Sequence, residues 1–221
     1  MGEWLRSMRD LAREVNADWA KKLEINPAKS ITCVKPSGTV SSLVDSSSGI
    51  HPRYAQHYLR RVRSDVKDSL TQVMIKQGFP HEVDVMNPSN IVFAFPMQAP
   101  KGAVLRSDRS AVQQLEHWLD LKQNWCEHTA SISVYVREHE WLEAAAWVYE
   151  HFDDITGVSF FPYSDHSYQQ APYEEIDEVT YHRLIKEIPK GINLKLLSLS
   201  ENGDNVTVHH ELACAGGACE L

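Results

Sequence analysis

The chain has 221 residues, 43% of them hydrophobic and 24% charged, with a formal net charge of −8. That balance excludes a broad electrostatic surface for nucleic acid or an anionic membrane, and no apolar run reaches the ~18 residues of a membrane span. Four cysteines are too few for a disulfide framework, and Met1–Arg6 carries acid too early for a signal peptide, so a reducing, cytoplasmic setting is expected.

Residues 3–24 predict an amphipathic helix, with Trp4, Leu5, Met8, Leu11, Ala12, Val15, Trp19 and Leu23 near a 3.6-residue period and Pro27 beyond its end. Ser30 to Lys35 alternates and is β-branched, which predicts a short strand. Val40 to Val44 follows as the first turn or two of a helix, and residues 45–53 form a Ser/Gly/Pro loop. Tyr54 to Arg63 alternates weakly, as a strand or an extended loop. Within it lies the one local basic cluster, Arg60, Arg61 and Arg63, with Arg53 and His57 upstream.

Further along, Asp65 to Gln77 reads as a helix ended by Gly78 and Pro80, and Asn90 to Pro96 as a buried strand. Asp108 to Trp125 reads as a long helix with Ser107 as its N-cap. Ala130 to Val136 is a strand, Glu138 to Phe152 a helix, Val158 to Phe161 a strand and Glu174 to Ile188 a helix. Asn205 to Val208 is a candidate last strand. Strands alternating with helices predict an α/β fold with about five parallel strands joined by crossovers. That is too few for a common closed parallel barrel of about eight. No low-complexity linker divides the chain, so one folded domain is expected.

Two segments carry chemistry. Lys35-Pro36-Ser37-Gly38-Thr39-Val40-Ser41-Ser42 lies between a predicted strand and a helix start, where backbone N–H groups and hydroxyls can meet phosphate. It lacks the GxxxxGK[ST] pattern of nucleotide hydrolases. The residues alone leave open an ordinary capped strand-to-helix turn. The second segment is Cys214-Ala215-Gly216-Gly217-Ala218-Cys219, a close dithiol on a glycine-rich tail. Glycine and terminal position favour mobility, so a redox arm is the natural reading, against two incidental cysteines on a frayed end.

Five stretches, in this order, resemble adenosylcobalamin-dependent (class II) ribonucleotide reductases, and most closely the monomeric branch that reduces ribonucleoside triphosphates. They are Thr32–Ser41; Gly49-Ile50-His51-Pro52-Arg53-Tyr54 running into Tyr58–Arg63; Ser131–Val134 after Asn124-Trp125; Tyr168-Gln169-Gln170-Ala171-Pro172-Tyr173-Glu174; and Cys214–Cys219. The resemblance implies the second five-stranded half of a ten-stranded α/β barrel over residues 1–208, followed by a flexible redox-active tail over 209–221. It implies that Pro36, Ser37, Gly38, Thr39, Val40 and Ser41 bind the substrate phosphates. Cys214 and Cys219 would reduce a barrel disulfide and be recharged by a thioredoxin-like reductant. Adenosylcobalamin would be shared with an N-terminal half that carries the radical cysteine, and a ribonucleotide would be the substrate. No metal ligand set, direct nucleic-acid partner or membrane contact is expected of this chain.

Cys33 and Cys126 match neither the radical nor the reducing cysteines of that family and read as packing residues. His51 is open between a nucleotide contact and turn shaping. The arginines 60, 61 and 63 are open between phosphate, acids of a missing half, and a solvated face. Tyr168, Gln169 and Gln170 are candidate pocket lining. The glycyl-radical class would show zinc-binding CxxC pairs and the iron-dependent class adjacent tyrosines, and the sequence has neither. Two functions of other classes compete: a catalytically incomplete nucleotide-binding or regulatory module, and a small thiol–disulfide exchange protein that uses only the tail.

Overall fold

The computed structural model describes residues 2–163 and 168–200. The candidate strand at 205–208 and the tail with Cys214 and Cys219 lie outside the described residues. The architecture is α/β, in two compact units. The first holds residues up to 52 and 104–163; the second holds 53–103 and residues from 168 onward. The chain passes between them repeatedly, so no single linker divides it, and the sequence carries no linker signal for that reason.

The first unit contains α1 (Gly2–Lys22), α2 (Val40–Leu43), α4 (Ala111–Asn124), β4 (Ser131–Val136), α5 (Trp141–Glu150) and β5 (Gly157–Pro162). β4 and β5 pair in parallel, from Ser131 opposite Gly157 to Val136 opposite Pro162, with α5 as the crossover. Ser110 caps α4: its hydroxyl accepts from the Gln113 N–H while the Gln113 side chain accepts from the Ser110 N–H. This places the cap three residues beyond Ser107, which instead lies in a 3₁₀ turn over Arg106–Asp108. Capping aligns Ala111, Leu115 and Trp118 on one face at i, i+4, i+7. They are buried against Ala130, Ile132, Val134, Val136, Ala144 and Trp147. The Trp118 indole N–H finds the Ala130 carbonyl at 2.7 Å, so the largest buried side chain leaves no polar atom stranded.

α1 departs from the predicted packing. Its apolar stripe faces outward, with Trp4 72% and Trp19 56% exposed. The opposite side is held to the end of α4 and the residues after it by polar groups: Arg6 to Asn124, Arg9 to the Gln123 carbonyl, and Arg13 to Glu127.

The second unit is a four-stranded sheet in the order β2-β3-β1-β6, made of β1 (His57–Asp65), β2 (His81–Val83), β3 (Asn90–Gln98) and β6 (Tyr173–Glu175). All its pairings are antiparallel, which corrects the expectation of a uniformly parallel sheet. Alternation marks a strand but not its direction. Here β1 and β3 run back on one another over nine residue pairs, from His57 opposite Gln98 to Asp65 opposite Asn90. α3 (Ser69–Lys76), α6 (Glu178–Glu187) and α7 (Lys195–Ser200) complete the unit. Its core is Met74, Phe79, Ile91 and Phe93, with Ile75, Phe95 and Ile188 packed around them. No helix among the described residues is long and apolar enough to cross a membrane.

Candidate functional site

Ser30 to Lys35 is extended but pairs as no strand. It is held to residues 125–129 instead. The Thr32 carbonyl accepts from the Glu127 N–H at 2.8 Å, and the Glu127 carboxylate accepts from the Ile31 N–H at 2.8 Å and the Thr32 N–H at 3.2 Å. Those amides, with Arg13 beside them, hold the Glu127 carboxyl at a pKa of about 2, well below the usual carboxylate range. Lys35 turns its ammonium to the Thr129 carbonyl at 2.8 Å and so braces the segment rather than extending from it. Cys33 and Cys126 behave as packing residues: Cys126 is buried in the core with Cys33 against it, and burial pushes the Cys126 thiol up.

The loop itself closes on two serines. The Ser37 hydroxyl accepts from the Ser41 N–H at 3.0 Å, and the Ser41 hydroxyl donates to the Ser37 carbonyl at 2.7 Å. Ser41 is buried, so its hydroxyl shapes the turn from within. Thr39 sits at the start of α2 with no side-chain cap bond, and Val40 is 64% exposed at the tip. A Cβ built on Gly38 would meet no atom within 4 Å, so packing inside the chain does not demand glycine there. Pro36 is backed by Gly49, whose φ of +59° and whose closeness to the Pro36 backbone both require glycine.

Residues 48–51 hold this loop on β4. The Ser48 hydroxyl accepts from the Ser37 N–H at 2.8 Å, and the Ser48 carbonyl lies 2.8 Å from Nδ1 of His51. Nε2 of the buried His51 accepts from the Ser133 N–H at 2.8 Å. Because a backbone N–H can only donate, Nε2 must be the acceptor and Nδ1 the protonated nitrogen of a neutral ring. Burial also lowers the His51 pKa. Two residues along, the Gln114 amide accepts from the Tyr135 N–H at 3.2 Å and donates to the Tyr135 carbonyl at 3.1 Å. Val136, one position out of phase, gives its carbonyl to Tyr163 beyond β5. The edge of β4 away from β5 is therefore covered by the side chains of His51 and Gln114. The sequence singled out His51 without a partner and gave no signal for Gln114.

Two arginines of the basic cluster are tied into the fold. Arg61 pairs with Glu174 and donates to the Ala171 carbonyl at 3.0 Å. Arg63, two residues on and on the same face, pairs with the buried Asp84 at 3.1 Å and donates to the Gln170 carbonyl at 2.9 Å. Gln170 is buried at φ +58°, and its side chain bonds to Glu82, the Val83 carbonyl and the Val85 N–H. It is thus a structural pin rather than pocket lining, whereas Tyr168 is exposed. The stretches 58–63 and 168–174, far apart in sequence, are one structural piece. Near the C-terminal ends of β4 and β5, Arg106 stacks over Tyr135 and Tyr163, and Arg137 over Tyr163, a cluster that sequence patterning did not mark. Among the described residues no group of three or more His, Cys, Asp or Glu side chains is placed to hold a metal ion.

No family model matches the chain. It is 27% identical to the adenosylcobalamin-dependent ribonucleoside-triphosphate reductase of Levilactobacillus brevis, over 94% of this chain and 29% of that protein. It is 29% identical to a probable adenosylcobalamin-dependent ribonucleoside-triphosphate reductase of Dictyostelium discoideum, over 84% of this chain and 25% of that one. A crystal structure of a B12-dependent (class II) ribonucleotide reductase superposes with a TM-score of 0.75 at 25% identity, covering 90% of this chain and 28% of the solved one. The chain spans less than a third of the length of the curated relatives it matches.

Proposed function

We propose that this chain is the phosphate-loop and redox-tail segment of an adenosylcobalamin-dependent ribonucleotide reductase, working with a complementary N-terminal segment that carries the radical cysteine. The observation that carries this reading is the clasp at the loop. Residues 36–41, 49–51 and 131–134 belong to three separate stretches of the family resemblance, and in the structure they form one hydrogen-bonded assembly together with Ser48. Similarity over 94% of the chain to reductases more than three times as long supports the fragment reading. So does the outward apolar stripe of α1, which a longer protein would cover. On this reading residues 1–208 are the second half of the reductase barrel, with β4-α5-β5 as a parallel unit of it, and residues 209–221 are the tail.

Pro36, Ser37, Gly38, Thr39, Val40 and Ser41 then hold the ribonucleotide phosphates. Their role is positioning: a fixed phosphate keeps the ribose at the radical. Adenosylcobalamin, when bound to the complete enzyme, supplies the radical by cobalt–carbon homolysis. The cofactor would be shared with the complementary segment, and no step on this chain is assigned to it. The reaction oxidises two cysteines of the complementary segment to a disulfide. Cys214 and Cys219 pass two electrons and two protons to it by thiol–disulfide exchange, becoming a disulfide themselves, and a thioredoxin-like dithiol restores them. A cytoplasmic setting fits that thiol chemistry.

The test is reconstitution. The chain is mixed with an N-terminal reductase segment, adenosylcobalamin, a ribonucleoside triphosphate and a dithiol, and deoxynucleotide is measured. Product only from the mixture supports the reading. A folded chain that yields none with any matching segment, yet binds nucleotide alone, indicates a stand-alone binding module instead.

A further inference from the structure

Ser37 does not reach the core directly. Its N–H rests on the Ser48 hydroxyl, the Ser48 carbonyl rests on Nδ1–H of His51, and Nε2 of His51 rests on the Ser133 N–H of β4, each link at 2.8 Å. Within this relay the imidazole is the side chain that joins the 48–51 clasp to the strand. His51 is buried, and its neighbour Ile50 belongs to the core cluster, so the ring is seated on the rigid side. Gly49, between them, lies against Pro36. Both ring nitrogens are committed to protein partners, so His51 has no nitrogen to offer a nucleotide.

We propose that His51 is a positioning residue for phosphate binding: a neutral, Nδ1-protonated imidazole that registers the Ser37–Ser41 loop against β4. This rests on the reading of residues 36–41 as the phosphate loop. The relay makes a specific demand on chemistry. Glutamine presents one polar atom near the place of Nε2 and asparagine one near the place of Nδ1, so each keeps one link and loses the other. Ser48→Ala breaks the next link while leaving both His51 bonds in place, because His51 uses the Ser48 backbone. All three variants cut one chain, so their effects should not add.

The experiment uses the full chain and two readouts. Exchange of the Ser37 amide and the ¹⁵N resonances of the His51 ring are followed by NMR, and inorganic triphosphate is titrated by calorimetry. Expected are a His51 ring that keeps the neutral, Nδ1-protonated signature as pH is lowered through 6.5, and a Ser37 amide that exchanges faster in His51→Gln, His51→Asn and Ser48→Ala. Triphosphate should bind each variant about 3- to 10-fold more weakly, the loss of one hydrogen-bond link, with His51→Gln/Ser48→Ala no worse than the weaker single variant. If the wild-type chain binds triphosphate and the variants bind it equally, His51 is no positioning residue while the phosphate loop stands. If the wild type binds no triphosphate although Ser37 is protected, the phosphate-loop reading fails and takes this role with it. A His51 ring already protonated at both nitrogens at pH 6.5, or fully additive variants, also overturns the proposal.

Discussion

Gly49 lies directly against Pro36: a Cβ on Gly49 would sit 3.2 Å from the Pro36 N and Cα and 3.1 Å from the Lys35 carbonyl oxygen. The neighbouring atoms are backbone, so they yield only if the loop moves. The residue's φ of +59° adds a second demand, since L side chains seldom adopt it. Gly49→Ala should therefore cost about 1–3 kcal/mol of stability and should weaken triphosphate binding by displacing Pro36. Chemical denaturation and calorimetry of the variant check this. Unchanged stability would mean that the 48–51 segment has slack.

Glu127 sets the path into the loop. Its carboxylate accepts two backbone N–H groups and pairs with Arg13, and its pKa of about 2 lies below the ordinary 4.5. A lowered folded-state pKa means stability that is fully present above about pH 4.5 and lost as pH falls toward 2. Glu127→Gln keeps the shape but loses the charge. It should cost about 1–2 kcal/mol at pH 7, at the low end for charged hydrogen bonds because Arg13 is half exposed. The difference from wild type should shrink between pH 4.5 and 2. A difference independent of pH would point to packing instead.

In the second unit, Asp84 is 2% exposed and takes Nε of Arg63 and the Met86 N–H. Asp84→Ala removes the buried carboxylate that accepts from Nε of Arg63 and should cost about 3–5 kcal/mol, as removal of one partner from a buried pair does. Thermal unfolding measures it, and a loss under 1 kcal/mol would place water at that pair.

Cys214→Ser and Cys219→Ser should each stop multiple turnovers in the reconstituted enzyme while sparing the first. Rapid quench of one turnover against steady-state assay separates the two. Loss of the first turnover would give the tail a further task, and unchanged thioredoxin-driven turnover would remove the shuttle role.

Much of this was legible in the chain. α4 and α5 fall within a few residues of their predicted spans because their apolar positions repeat at the helical period. The α4 cap lies one turn beyond the Ser107 that the sequence suggests, because Ser110 stands three residues before Gln113 and forms the reciprocal pair with it. The strands β2 and β6 have three residues each, too few to show a period. Ser30–Lys35 has the alternation of a strand, yet its hydrogen bonds go to the Glu127 side chain and backbone, which no local pattern reveals. The loop segment is marked in the sequence by its hydroxyls and glycine between a predicted strand and a helix start, though those residues alone leave an ordinary turn open. Its support is not marked, because Ser133 is 82 positions from His51 and nothing in either neighbourhood names the other.

The interleaving of the two units bears on the order in which the molecule is made. Residues 1–52 leave the ribosome long before residues 104–163, and the whole of 53–103 comes between. When the Ser37–Ser41 loop first emerges, its clasp at 48–51 follows within moments, but the strand beneath the clasp does not yet exist. Nε2 of His51 has no Ser133 N–H to accept from until that strand has been synthesised, and the long return of the chain makes that closure a late event. If the loop holds phosphate as proposed, that competence arrives only after Ser133 has been made, and a chain cut at residue 103 would keep the loop's sequence without its floor.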